Sequence, residues 1–122
     1  MEFVSFDLAK KLKEKGYPQH IADDAYIIEN YGEDEYNIGD ILPIPIIPDY
    51  MDDVSAPTIS QVLKWLREEK GIHICISLGT YSDWNCEISK IDGNVYCNAY
   101  CGCHDYEQAA LVGISFVIDE LI

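Results

Sequence analysis

Cysteine is the unusual chemistry of this chain. Cys97, Cys101, Cys103 and His104 fall within eight positions, and Cys86 precedes them on the other arm of what reads as a hairpin. A zinc site needs four such ligands at about 2.0–2.3 Å, presented in pairs by tight turns. Cys97 and Cys101 are four apart on a strand, roughly 13 Å along it, so one ion cannot take both unless the strand breaks. Cys101-Gly102-Cys103-His104 offers an incomplete ligand set from a loop. Cys86 lies diagonal to Cys97 and Cys101, about 7–8 Å away, too far for a disulfide without slippage. The ordinary reading is that these thiols pack as small apolar side chains.

Other constellations are weaker. A nucleophile pair could be drawn from Cys103 or Cys75 with His20, His73 or His104, but adjacent residues rarely point at each other. No local signature of a cysteine hydrolase is present. Asp49, Asp52 and Asp53 lack the alternating acids, central glycine and closing glutamate of a calcium loop, and Glu33-Asp34-Glu35 fails likewise. Both read as solvated loop charge. Trp65 reads as a core-border residue rather than a ligand platform. The sequence therefore assigns no catalytic, cofactor-binding or metal-binding residue, no cofactor and no enzymatic activity.

These groups must be held by ordinary elements. Ser5 is an N-cap for a helix over Phe6–Lys15, Asp7 and Lys11 are a favourable four-apart pair, and Gly16-Tyr17 suits a Schellman stop. Ala25–Ile28 is a short strand, and Tyr36–Leu42 its return. Pro43, Pro45 and Pro48, interleaved with Ile44, Ile46 and Ile47, require an extended arm. Thr58 and Gln61 form a capping box for a helix whose face is Ile59, Val62, Leu63 and Leu66, ended by Gly71. Ile72, Ile74, Ile76 and Leu78 alternate with His73, Cys75 and Ser77 as a half-buried strand. Asp92-Gly93 marks a tight hairpin that sets Lys90 against Val95 and Ile88 against Cys97. One face then carries Trp84, Cys86, Ile88, Val95, Cys97, Ala99 and Cys101. The last helix starts at Asp105, with Ala110, Ile114, Val117, Ile118 and Leu121 on its core face. A second apolar stripe, Ala109, Val112, Gly113 and Phe116, predicts a homodimer contact.

The expected fold class is α+β. Its core is a two-layer arrangement, a three-stranded antiparallel meander with helices on one face, open to extension by the short N-terminal strands. A single domain of 1–122 is expected, with 1–56 as a helix plus an acidic, Pro/Ile-rich wrapping segment and 57–122 as the core. Helix, three strands, helix is also the order of the double-stranded RNA-binding fold, but the likeness is one of topology only.

Charge decides between partner classes. The 122 residues carry a formal net charge of −14 with eight Lys and Arg. Nucleic acid and anionic membrane both require cationic neutralisation, so direct binding to either is excluded. A basic protein partner is the fitting class. Ten of the acids and no Lys or Arg lie between Tyr17 and Ala56, among five tyrosines. The longest apolar run, Ala109–Ile118, falls short of a membrane span. Met1-Glu2-Phe3-Val4-Ser5 lacks the basic and apolar regions of a secretion signal. A cytoplasmic setting with reduced cysteines is therefore expected.

Three stretches carry a resemblance. They are Val4–Tyr17; Ala56-Pro57-Thr58 leading to Lys64-Trp65-Leu66-Arg67-Glu68; and Tyr106-Glu107-Gln108-Ala109 leading to Gly113-Ile114. Together they resemble a group of short uncharacterised proteins of anaerobic gut bacteria and their phages. The resemblance implies a small α+β domain and transfers no catalytic residue. The expected function is non-catalytic: a protein–protein interaction or accessory role of phage or mobile-element type. The alternative is a small metal- or thiol-dependent protein using Cys101, Cys103 and His104.

Overall fold

A computed structural model describes residues 3–19, 24–29, 37–43, 47, 52–79, 83–90 and 95–122, with backbone alone at 29 and 95–102. The chain divides into two compact units, Phe3–Thr58 and Ile59–Ile122. The division falls two residues past the compositional boundary between 56 and 57.

The first unit opens with α1 (Phe6–Glu14). The Ser5 hydroxyl accepts from the Leu8 N–H at 3.2 Å. At the other end Gly16 takes φ +93°. The Gly16 N–H then reaches the Lys13 carbonyl at 3.1 Å and the Tyr17 N–H the Leu12 carbonyl at 2.9 Å. This is the Schellman stop that the sequence predicts. Leu8, Ala9 and Leu12 are its buried face. They join Val4, Tyr17, Ala25, Tyr26, Ile27, Val54 and Ala56 in the core of this unit.

Three short strands follow: β1 (Asp24–Glu29), β2 (Ile41–Pro43) and β3 (Asp52–Ser55), in the antiparallel order β2-β1-β3. Two sequence expectations are corrected here. The return strand is three residues at Ile41–Pro43, because 37–40 form a turn in which the Asn37 N–H donates to the Asp40 carboxylate at 2.7 Å. The N-terminal strands also do not extend the meander. Asp52–Ser55 pairs along the second edge of β1, so the three make their own sheet. Of the proline–isoleucine arm, Pro43 closes the edge strand β2 and Ile47 is half-buried; the rest lies outside the described residues.

The second unit is the helix–strand–strand–strand–helix core. It comprises α2 (Ile59–Glu69), β4 (Ile72–Leu78), β5 (Trp84–Lys90), β6 (Val95–Cys103) and α3 (Tyr106–Phe116), which continues as a π-helical turn, Val117–Leu121. The sheet is an antiparallel meander, β4-β5-β6. Both helices pack on it and on each other. The buried face holds Ile72 and Ile74 of β4 and Cys86 and Ile88 of β5, under Val62, Leu66, Ile114 and Ile118. Among the described residues no helix is long and apolar enough to cross a membrane.

The hairpin register is right at its centre and shifted at both ends. Cys86–Ala99, Glu87–Asn98 and Ile88–Cys97 are opposed, as the sequence predicts. Val95, however, faces Ser89 rather than Lys90, and Cys103 rather than Cys101 faces Trp84. Extra residues on one strand of a pair form bulges, which twist the ladder and re-aim the side chains beyond them. The Asp92-Gly93 turn lies outside the described residues.

Candidate functional site

The thiol-rich end of β6 is where the sequence gathers its reactive groups, and the fold separates them. Cys103 is buried and its neighbour His104 exposed. Cys103 ends β6 with its side chain in the core, and His104 follows at a bend, exposed to water. Cys86 is buried on β5. Cys75, Cys86 and Cys103 are thiols, not disulfides. The side chains of Cys97 and Cys101 lie outside the described residues. Among the described residues, no three His, Cys, Asp or Glu side chains gather where one metal ion could sit.

Beyond Cys103 the chain turns directly into α3. Asp105 is its N-cap, and its carboxylate accepts from the Gln108 N–H at 2.7 Å. The Gln108 side-chain oxygen accepts in turn from the His104 N–H at 3.1 Å. Two backbone donors at the helix start are thereby satisfied, but Gln108 takes the N–H of His104, one residue before the cap, where a capping box would take that of Asp105 itself. An open groove lies beside this junction, lined by His104, Asp105, Glu107, Gln108 and Leu111. Tyr106 stands against Trp84 edge to face, with ring centroids 5.8 Å apart at 85°.

The remaining candidates scatter. His73 and Cys75 share the outward face of β4, opposite Ser89 and Glu87. His20, Asp49 and Glu33–Glu35 lie outside the described residues. Asp52 and Asp53 belong to β3 rather than to a loop. Their strand neighbours supply the feature that sequence reasoning missed: the register sets Glu29 of β1 directly opposite Asp52. Like charges at facing positions destabilise a sheet. The signal was present in the acids that bracket Ala25–Ile28, but it needed β3 to be recognised as a strand.

The homodimer stripe does not form one surface. Ala109 and Gly113 are buried, Val112 is exposed and Phe116 half-buried. A Cβ on Gly113 would lie 2.9 Å from Ile74 Cγ2 and 3.4 Å from Cys86 Sγ. The glycine lets α3 approach its own sheet, not a second copy. Trp65 sits at the core border, with the Lys70 ammonium 5.3 Å from its ring centroid.

Two buried tyrosines stand out electrostatically. The Tyr26 hydroxyl donates to the Val4 carbonyl at 2.6 Å. Burial pushes the hydroxyl pKa of both Tyr26 and Tyr17 above the ordinary tyrosine value. Both are core-anchoring groups of the first unit, not reactive ones. Comparison of the chain with protein-family models, with curated proteins and with solved structures gives no match.

Proposed function

We propose that this protein acts by binding rather than by catalysis, as an accessory factor that captures a basic protein surface through its acid-rich first unit. The phage or mobile-element setting implied by the sequence resemblance is part of the same proposal. The observation that carries it is the Glu29–Asp52 pair. The register sets Glu29 and Asp52 at facing positions, where like charges cost a sheet stability, and a cationic partner is attracted to both. The same unit presents Ile38 at 61% exposure and Ile41 at 37%, so apolar contact is on offer beside the charge. Interfaces combine such an apolar centre with a polar rim.

Electrostatic complementarity speeds encounter and is weakened by salt. The test is therefore made on the partner co-purified with the tagged protein from its native cell. Replacing Glu29→Gln together with Asp52→Asn should slow association and flatten its salt dependence, while the free protein becomes slightly more stable. A partner whose association is indifferent to the double change would sink the reading. Among the described residues Cys103 is buried and His104 exposed, an arrangement that does not favour the thiol or metal alternative as a second reading; the Cys101 side chain lies outside them.

A further inference from the structure

The second unit carries a candidate contact of its own, at the end of its sheet away from the hairpin turn. Leu78 and Trp84 face each other across β4 and β5, and Trp84 meets Tyr106 edge to face. The three form one continuous apolar cluster. Leu78 is 58% exposed and Tyr106 42% exposed, which is a poor place to leave large apolar side chains unless something covers them. Acids border it: Asp105 and Glu107 flank Tyr106 and line the adjoining groove. The adjoining groove adds the polar atoms of His104 and Gln108. Two bases lie at the opposite end of the sheet. Lys90 faces Ile72, and Lys70 comes two residues before Ile72.

The geometry points to a docking site for a short basic segment of another protein, one that sets an apolar anchor beside an arginine or lysine. The anchor would cover Leu78 and Trp84. The cation would lie over Tyr106 and against Asp105 and Glu107, where ring face and carboxylates both attract it. A second copy of this chain does not fit. Two such faces brought together about a two-fold axis would oppose their own acid rims, and like charges facing across an interface suppress association. The inference deepens the reading of a basic partner and rests on it, but it assigns a different surface.

Two short amidated probe peptides of equal charge test it. In one, arginine alternates with leucine and phenylalanine; in the other, serine replaces both apolar residues. Amide and indole shifts of the isotope-labelled full chain are followed during titration with each. The apolar peptide should bind about tenfold more tightly, as one partly buried anchor would give. Its largest shifts should fall on Leu78, the Trp84 indole and Tyr106. Leu78→Ser and Tyr106→Ser should each bring the two peptides towards equal affinity; Leu78 is exposed enough for the first of these to leave the fold intact. Equal affinity of the wild type for both peptides would overturn the assignment. So would shifts confined to β1, β2 and β3, a result that would leave the acid-rich first unit as the binding surface.

Discussion

Gly113 shows how much one missing methyl group decides. Alanine is the better helix former by about 1 kcal/mol, so Gly113→Ala should stabilise α3 in isolation. In the protein its Cβ would meet Ile74 Cγ2 at 2.9 Å, and overpacking a closed core costs about 1–3 kcal/mol. The contact is with a methyl group borne directly on the branched Cβ next to the strand backbone, which has little room to retreat. Net destabilisation of about 1 kcal/mol is expected, read as a lower denaturant midpoint with unchanged slope. Tyr26 is a second such position. Tyr26→Phe keeps the ring packed 5.2 Å from Phe6 but strands the Val4 carbonyl, at a cost of about 1–2 kcal/mol. The same hydroxyl carries a pH signature. Its folded-state pKa is raised by burial, so the folded protein keeps a proton that the unfolded chain releases. That contribution to stability is complete below the unfolded value and is lost as pH climbs through the folded one. In an alkaline titration, Tyr26 and Tyr17 should ionise above the ordinary tyrosine value. If both ionised at the ordinary value while the protein stayed folded, the burial argument would fail.

Among the elements, the helices were legible because their ends are written in local chemistry. Ser5 and Asp105 each cap a helix through the side-chain contact that their spacing implies, and Gly16 stops α1 in a left-handed conformation. Ser5→Ala and Asp105→Ala should each cost about 1 kcal/mol, measurable as a drop in melting temperature. The meander was legible too, from the alternation along Ile72–Ile76, and the register expected for the hairpin holds at Cys86–Ile88. β3 was not. Asp52 and Asp53 are poor strand formers, and only pairing with β1 makes them one; that pairing is a long-range event with no local trace. The bulges at either end of β5–β6 were hidden for a related reason: side-chain type does not reveal where a strand gains a residue. This moved Cys103 into the place opposite Trp84 that the sequence had given to Cys101, and with it the picture of the thiol end. Gly113 was read as an approach for another subunit, because helix periodicity says which residues share a stripe but not which neighbour the stripe meets. The acidic site was half visible. Its charge could be counted, but the facing of Glu29 and Asp52 came only with the register.

Over the whole molecule, a net charge of −14 acts on stability and on association in opposite senses. Self-repulsion disfavours the compact state, and salt shortens its reach from about 30 Å at 0.01 M to about 3 Å at 1 M. The free protein should therefore melt at a higher temperature as sodium chloride is added. Glu29→Gln with Asp52→Asn should melt higher than wild type at low salt and gain less from it. Association with a basic partner should respond in reverse, since the field that strains the free protein is the one that steers the complex. The decisive measurement is the association rate with the co-purified partner across ionic strength, for the wild type and for the Glu29→Gln, Asp52→Asn protein. The wild-type rate should fall steeply as salt rises, and the variant should start lower and fall less. A wild-type rate that stays constant across that range would contradict the claim that this protein works by presenting an acidic surface to a basic partner.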